Sequence, residues 1–247
     1  MQEWAKALPP GAPFPSEAEI AEVAGVSRAT VRLALSTLVQ AGILYTKPGS
    51  GTFVAKPRLE TDLNAPRGFT ETSRGMGREP STKVFRIDRL GASPEVAHAL
   101  ELNEGQVVWV IERVRRLDGV AAMVEIAHLP VQIFPRLDRE RLDGSLYDLM
   151  RSHYHQAPDH GTESVFAVNA DAHLAVQLGV PLAAALLASI RVSRSRVGLP
   201  LEYTQRFVRP DLCAYSVRLG QDSHLEVRPD RDLLSPLQTS ITIKSRP

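Results

Sequence analysis

A single cysteine, Cys213, is present in the 247-residue sequence. A disulfide within the chain is therefore excluded, which suits the reducing cytoplasm, and we expect this thiol to be structural. Long apolar runs are absent too, because the longest apolar-rich stretch, residues 180–190, contains a proline and a serine and is too short to span a bilayer. No signal-peptide pattern is present, so the sequence predicts no association with a membrane.

Motifs for metal and cofactor chemistry are also missing. There is no His-Glu-x-x-His pair, no cysteine cluster and no phosphate-binding loop with Gly-Lys-Ser/Thr. His153 and His155 are two residues apart in a predicted helix, so they do not share a face. No Gly-x-Ser-x-Gly nucleophile motif occurs. We therefore expect no metal, no cofactor and no catalytic residue of these kinds.

Signals for two short helices follow each other near the start of the chain. Ser16 with Glu19 predicts a capping box, and Gly25 predicts the end of that first helix. Ser27 predicts the cap of a second helix, which Gly42 ends. Apolar residues recur at helical spacing in both helices, at Ile20, Val23, Ala24, Val31, Leu35 and Leu38. Two short helices joined by a tight turn indicate a helix-turn-helix.

The other face of the second helix carries Arg28, Thr30 and Arg32. Residues at the start of a recognition helix reach base edges in the major groove, where Arg pairs with guanine and Thr contacts bases or a thymine methyl. A solvated surface is the alternative for an isolated helix. Here residues 44–46 and 52–54 predict two strands around a glycine-rich turn that can approach a phosphate closely. This wing favours DNA binding over the alternative.

Residues 15–54 resemble the winged helix-turn-helix of the GntR family of bacterial transcription regulators. The resemblance implies DNA contacts from the cap and start of the recognition helix and from a wing glycine, which correspond here to Ser27, Arg28, Thr30, Arg32 and Gly49. Ala18 departs from the family pattern, which usually has a DNA-contacting arginine there. Only Met1–Leu8 precede the Pro-Pro-Gly turn, where the family has a full helix. We expect one or two helical turns here, and either the helix is truncated or the true start of the protein lies upstream.

Charge near the N-terminus is modest. The whole chain has a net charge of +1, and residues 1–58 contain six Lys/Arg against four Asp/Glu. Since phosphate neutralisation supplies most non-specific affinity for DNA, one such module would bind weakly. We therefore expect a homodimer that doubles the contacts with a double-stranded DNA operator.

Composition divides the chain into four parts. A winged-helix domain at 1–55 is followed by residues 56–66, which mix charges with two prolines and predict a linker. A second domain is predicted at 67–219, and residues 220–247 predict a disordered tail.

The second domain alternates predicted strands with short helices. Asp118-Gly119 and Gly198-Leu199 mark two β-hairpins. Hairpins dominate over βαβ connections, so we predict an α+β fold with a mostly antiparallel sheet.

This region resembles the UTRA domain of the HutC-like branch of GntR regulators, a ligand-sensing and dimerising domain similar in fold to chorismate lyase. The matching segments are short, but their order and spacing fit the family. They are Phe69-Thr70, Glu112–Arg115, Asp118-Gly119 with Glu125, Ser145–Tyr147, Leu178–Pro181 and Gly198–Tyr203.

Alternation along one predicted strand draws attention to two arginines. Trp109, Ile111, Arg113 and Arg115 face the same way in an extended strand. Two cations that continue an apolar face indicate either a pocket wall that meets an anion or a surface strand end whose arginine stems cover apolar neighbours. The resemblance favours ligand binding, because these positions match an anion-binding pair in UTRA domains.

The resemblance implies six further ligand contacts. Phe69 and Thr70 would line the pocket mouth, Ser145 and Tyr147 would donate hydroxyls, and Glu125 and Glu202 would accept hydrogen bonds. Val208 stands where the family often has a tyrosine, which points to a ligand smaller or more apolar than a sugar.

The leading hypothesis is a ligand-responsive transcription regulator, a repressor, that is cytoplasmic and associated with the nucleoid when bound to DNA. Its partners would be a DNA operator, a second copy of the chain and a small anionic effector. An enzyme is the alternative: a lyase acting on a small carboxylic acid, with Glu202 beside Arg115 as the acid or base. A DNA-binding protein with a vestigial sensor, or a non-binder with a truncated start, is a third possibility.

Overall fold

The computed structural model describes residues 1–47, 49–63 and 67–217. The predicted tail, residues 220–247, lies outside the described residues. The described chain forms an N-terminal helical domain with a short hairpin and a larger α+β domain with a six-stranded sheet. Within these described ranges, no helix is both long and apolar enough to cross a membrane.

The N-terminal domain consists of three helices and a hairpin. Its elements are α1 (Gln2–Ala7), α2 (Glu17–Ala24), α3 (Arg28–Gln40), β1 (Leu44–Lys47) and β2 (Gly51–Val54). The predicted capping box is confirmed, since the Glu19 N–H donates to Ser16 Oγ at 3.3 Å and the Ser16 N–H donates to Glu19 at 2.8 Å. Gly25 ends α2 with a φ of 64°. The expected short first helix is confirmed by α1.

The core of this domain joins all three helices to the hairpin. Its buried members are Ala5, Phe14, Ile20, Val31, Leu35, Leu38, Leu44 and Val54. The predicted apolar stripe of α2 is narrower than expected, because Val23 is 73% exposed. Backbone bonds from Gly11 and Phe14 to Val54 and Thr52 fix the segment before α2 against the wing.

The second domain is built on one antiparallel sheet, as predicted. The elements of the domain are α4 (Phe69–Gly75), β4 (Pro80–Gly91), α5 (Pro94–Leu100), β5 (Val107–Leu117), β6 (Val120–Pro130), α6 (Leu146–His153), β7 (His160–Asn169), α7 (Ala172–Leu178), β8 (Ala185–Arg194) and β9 (Pro200–Val208). The strands of the sheet run in the order β4-β5-β6-β9-β8-β7. A single 3-10 turn, Leu137–Arg139, also occurs between β6 and α6.

Helices cover both faces of this sheet. α6 packs on the face that carries Trp109 and Ile111, and α4 reaches the same face through Thr70. α5 and α7 pack on the opposite face, against Val110 and Val124 respectively. The predicted Asp118-Gly119 turn is confirmed, and both residues have the positive φ angles, 51° and 82°, that a type I′ hairpin requires.

The predicted linker contains a strand that the sequence did not suggest. β3 (Leu59–Asp62) pairs in parallel with β10 (Cys213–Ser216) in a separate two-stranded sheet. Just before β3, Lys56 forms an ion pair with Asp118 at 2.9 Å, and Arg78 donates to the Pro57 carbonyl at 2.7 Å. The described part of this segment is therefore attached to the second domain.

Cys213 is buried on β10, and burial raises the pKa of its thiol to about 12. This agrees with the expected structural role, because the reactive thiolate is disfavoured. Among the described ranges, no three His, Cys, Asp or Glu side chains are grouped in a way that could hold a metal ion. His153 is the last residue of α6, and His155 lies beyond it with a φ of 55°.

Candidate functional sites

Helix α3 presents its N-terminal residues to solvent. Ser27 caps the helix by accepting the Thr30 N–H at 3.2 Å, and the two hydroxyls lie 2.9 Å apart. Val31 and Leu35 are buried in the domain core, so Arg28, Thr30 and Arg32 are left on the exposed side. The expected cap of the second helix is confirmed, and four of the five predicted DNA-binding residues are exposed at the N-terminal part of α3.

Arg32 already has a partner on the neighbouring helix. Its Nε and Nη2 donate to the Glu17 carboxylate at 3.1 Å and 3.0 Å. The hydrogen bond with Glu17 raises the pKa of Arg32, and the same bond lowers the pKa of Glu17. To bind Arg32, a DNA phosphate has to compete with Glu17. The competition is not costly, because an exposed ion pair contributes little free energy.

The wing turn depends on glycine for its backbone conformation. Gly49 has a φ of 72° and Gly51 a φ of 107°, both in the region that favours glycine. A Cβ at Gly49 would meet nothing within 4 Å, so space is left beside this backbone. The wing glycine is therefore open to close approach by another molecule. Tyr45 and Phe53 stack across the hairpin with ring centroids 5.5 Å apart and stiffen it.

A second candidate site lies inside the large domain. All eight predicted ligand-binding residues line one cavity, namely Phe69, Thr70, Arg113, Arg115, Glu125, Ser145, Tyr147 and Glu202. Three residues that were not predicted, Gly68, Leu146 and Arg206, complete its wall. The cavity encloses only about 20 Å³, which is room for little more than one water molecule.

Cross-strand pairing creates the charged floor of this arginine cavity. Arg113 on β5 is paired with Glu125 on β6, which is in turn paired with Arg206 on β9. Glu125 accepts a hydrogen bond from Arg113 and one from Arg206 Nε at 3.3 Å. Arg115 Nη1 lies 3.8 Å from the same carboxylate. Burial opposes ionisation of Glu125, but the three arginines outweigh burial and hold its pKa well below its usual range.

Arg115 connects this floor to α4. Its Nη2 donates to Thr70 Oγ1 at 2.7 Å, and its guanidinium lies 4.9 Å from the centre of the Phe69 ring. Burial, reinforced by the repulsion of Arg113, lowers the pKa of Arg115 to about 9. A buried guanidinium whose charge is disfavoured to this extent would gain from an added anion.

Hydroxyl groups gather around Glu202, which lines the cavity together with Ser145 and Tyr147. Tyr147 donates to Glu202 Oε2 at 3.1 Å and lies 2.9 Å from Ser193 Oγ. Ser145 caps α6 by accepting the Asp148 N–H at 3.2 Å, and its own hydroxyl hydrogen is left to donate elsewhere. Tyr147, Ser193 and Glu202 thus form a polar group that can both donate and accept hydrogen bonds.

Arg206 belongs to a network that sequence reasoning missed. Its Nη1 lies 3.4 Å from Glu163, which also binds Arg191 through Nε at 2.7 Å. The sequence did contain a signal for Arg206. Glu202, Thr204 and Arg206 alternate along β9, which places all three side chains on the same face of the sheet as Arg113. Four buried arginines (113, 115, 191 and 206) thus oppose three buried glutamates (125, 163 and 202), and one positive charge remains in excess.

Comparison with known proteins decides the family. Residues 4–54 match the bacterial regulatory proteins of the gntR family, and residues 75–213 match the UTRA domain. The chain belongs to the GntR family. It is a DNA-binding transcription regulator of the HutC-like type, with a UTRA domain as its effector domain.

Several GntR-family relatives match over most of the chain. The HTH-type transcriptional repressor NagR of Bacillus subtilis is 30% identical over 204 residues, which cover 83% of this chain and 84% of NagR. A probable fructoselysine utilization operon transcriptional repressor of Shigella flexneri is 30% identical over 177 residues, which cover 70% of this chain and 72% of that repressor. The crystal structure of PhnF from Mycobacterium smegmatis matches with a TM-score of 0.67 and 28% identity, covering 89% of this chain and 96% of PhnF.

One departure from the GntR-family pattern takes on a different meaning in the structure. Val208 is buried in an apolar cluster with Leu59, Met123 and Cys213, and it does not line the arginine cavity. Its identity therefore says little about the size or polarity of a ligand in that cavity, contrary to the expectation from the sequence.

Proposed function

We propose that this protein is a homodimeric repressor whose affinity for its operator is controlled by a small anion bound in the arginine cavity. The observation that carries this proposal is the excess positive charge buried where the eight predicted ligand residues meet. A carboxylate or phosphate offers oxygens that accept hydrogen bonds from guanidinium groups in a bidentate manner.

Binding of an effector requires the arginine cavity to open, because its present volume admits little more than water. An anion would replace Thr70 as the acceptor for Arg115 and would compete with Glu125 for Arg113. Tyr147, Ser193 and Glu202 would then recognise hydroxyl or amine groups of the same molecule. The effector class that fits best is a small anion that carries at least one hydrogen-bonding group.

Movement of Thr70 offers a route from the cavity to the DNA-binding domain. Thr70 lies on α4, which follows the segment that contains β3, and this segment joins the two domains. An effector can shift the domains between arrangements only by binding one more tightly, with coupling of typically ~1–3 kcal/mol. The proposed domain boundaries are 1–55, 56–66 and 67–219, followed by the tail at 220–247, and both family matches fall within them.

For DNA, we propose contacts from Ser27, Arg28, Thr30, Arg32 and Gly49 of each copy. A dimer would place two α3 helices in successive major grooves, with half-sites about one helical turn apart. Repression is proposed because relatives such as NagR are named repressors. The site of action would be the cytoplasm, on the nucleoid.

For the large domain, we propose sensing rather than catalysis. Glu202, the residue that a lyase would use as acid or base, is held by Tyr147 and Ser193 in the interior. This arrangement suits recognition of a ligand group. Incubation of the full chain with small enol and aromatic carboxylic acids is expected to give no turnover, and product formation would support the lyase instead.

Selection of DNA from a random pool by the full-length protein, at a stated salt concentration, tests the DNA-binding role. We expect enrichment of a two-fold symmetric sequence. Arg28→Ala should weaken binding to that sequence by roughly 1–3 kcal/mol and relax the preference at one base pair of each half-site. Lys6→Ala, at an exposed cation on α1, is the matched control and should change binding little. Failure to enrich any symmetric site, or equal effects of the two variants, would contradict this proposal.

A further inference from the structure

A larger cavity lies on the opposite face of the sheet from the arginine cavity. It has a volume of about 250 Å³ and is bounded by α5 and by alternate residues of β5, β6 and β9. Val110, Ile126 and Phe207 form its apolar floor, and these side chains alternate with those that face the arginine cavity. The two cavities are thus separated by the thickness of the sheet.

Polar groups in this second cavity have incomplete hydrogen bonding. The buried Nδ1 of His128 has no hydrogen-bond partner among the described residues. A buried polar atom without a partner costs roughly 1–3 kcal/mol, so a bound molecule that supplies one is favoured. Burial lowers the pKa of His128 to about 4, so the ring is neutral near pH 7 and can accept a hydrogen bond.

Two opposite charges line the same cavity. Arg86 lies on β4, where its Nε is 3.3 Å from Asp88 and 3.8 Å from Glu112, and its side chain is about half exposed. Glu95 on α5 accepts a hydrogen bond from the Tyr203 hydroxyl. Burial raises the pKa of Glu95, an effect that the Tyr203 bond opposes and that no cation of the described residues offsets. The half-exposed Arg86 guanidinium and a carboxylate without an ion pair among the described residues, that of Glu95, therefore both line this cavity.

We propose that this cavity is a second small-molecule site and that it binds a free amino acid with an apolar side chain. The carboxylate of the amino acid would pair with Arg86, its ammonium group with Glu95, and its side chain would lie on Val110, Ile126 and Phe207. A simple anion fits less well, because Glu95, Asp88 and Glu112 all lie on this side of the sheet. Size agrees, since an apolar cavity of about 150 Å³ already holds benzene.

Calorimetric titration of the full-length protein with L-phenylalanine and L-leucine tests this site. Two molecules similar in shape to L-phenylalanine each lack one of its charged groups. 3-Phenylpropanoate lacks the ammonium group, and 2-phenylethylamine lacks the carboxylate. We expect at least one amino acid to bind with a Kd of about 1 mM or lower, and both truncated molecules to bind at least about tenfold more weakly than L-phenylalanine.

Substitutions at Glu95 and Arg86 test which residue binds each charged group of the amino acid. Glu95→Gln should remove the preference for L-phenylalanine over 3-phenylpropanoate, and Arg86→Gln should remove its preference over 2-phenylethylamine. A purely structural role for either residue would weaken all ligands equally and leave these preferences intact. Arg116→Gln, at a partly exposed cation that donates to the Gly119 carbonyl and does not line this cavity, is the control and should leave L-phenylalanine binding unchanged.

Four outcomes would overturn the second site. These are failure of both amino acids to bind, equal binding of the three phenyl compounds, preferences that persist in both cavity variants, and a loss of L-phenylalanine binding in Arg116→Gln as large as in the cavity variants.

Discussion

Glu125 holds together the charges of the arginine cavity. It contacts Arg113 and Arg206 directly, and Arg115 lies close to it. Breaking a buried ion pair is costly because it leaves the partner charge without compensation. Here the loss of one carboxylate would leave three buried arginines facing one another.

Glu125→Gln is therefore expected to lower the free energy of unfolding by about 3–5 kcal/mol at pH 7. The folded-state pKa of Glu125 is depressed, so its contribution to stability is fully present above the ordinary glutamate pKa of about 4.3 and is lost as the pH falls below that value. Urea unfolding at pH 7 and at lower pH measures the difference between the two proteins.

Glu79→Gln, at an exposed side chain, provides the control for this effect. We expect it to unfold like the wild type at pH 7. Equal stability of Glu125→Gln and Glu79→Gln, or a Glu125 effect that grows as the pH falls, would contradict the role assigned to the carboxylate.

The family resemblance, more than any local pattern, predicted the residues that line the arginine cavity. Alternation on β5 led to Arg113 and Arg115, and the UTRA resemblance supplied the other six residues. Arg206 was missed because its importance comes from pairing with Glu125, and the strand order that brings them together is not encoded locally. The link from Arg206 through Glu163 to Arg191 has the same origin, since β7, β8 and β9 must first align.

Among the elements, the short strand β3 connects the domains physically. It pairs with β10. Just before β3, Lys56 donates a hydrogen bond to the Asp118 carboxylate at 2.9 Å, and the same carboxylate accepts a hydrogen bond from Arg78 at 2.6 Å. Burial disfavours the Asp118 carboxylate, but the Glu79 N–H and these two cations lower its pKa to about 2. The hairpin turn between β5 and β6 thus anchors the segment that leads to the DNA-binding domain.

Asp118→Asn tests this anchor without disturbing the turn, because Asn tolerates the left-handed conformation found there. The loss of charge should weaken the bonds to Lys56 and Arg78 and increase local opening of β3. We expect amide hydrogen exchange at residues 59–62 to become about tenfold faster, which corresponds to roughly 1.4 kcal/mol.

Asp143→Asn, which affects an exposed pair with Arg141, is the matched control and should leave exchange at 59–62 unchanged. If Asp118→Asn also leaves it unchanged, Asp118 does not anchor this segment.

Strong local patterns predicted most elements correctly. The capping box of α2, the Ser27 cap of α3 and the Asp118-Gly119 hairpin were all readable from a few residues. β3 escaped notice because four residues give no periodicity and because its partner, β10, lies about 150 residues away. The second cavity was equally invisible, since Arg86, Glu95 and His128 meet only after β4, α5 and β6 have assembled.

For the protein as a whole, weak charge and domain organisation point to the same mode of action. The net charge of +1 provides no general attraction to DNA, which supports the proposal that a dimer repeats a few specific contacts. The excess charge of the arginine cavity, by contrast, is buried in the large domain. The proposed control of DNA binding would therefore have to be transmitted through residues 56–66.

The most direct test measures fluorescence anisotropy of the selected DNA with the full-length protein while phosphorylated sugars and small carboxylates are added. We expect at least one of these anions to weaken DNA binding by about 5–150-fold in the wild type, the range of typical allosteric coupling. Arg116 is next to Arg115 in the sequence, but it donates to the Gly119 carbonyl, so Arg116→Gln should respond like the wild type. Arg115→Gln should bind DNA normally and lose the response. A response that survives in Arg115→Gln, or no response of the wild type to any of these anions, would contradict control through the arginine cavity.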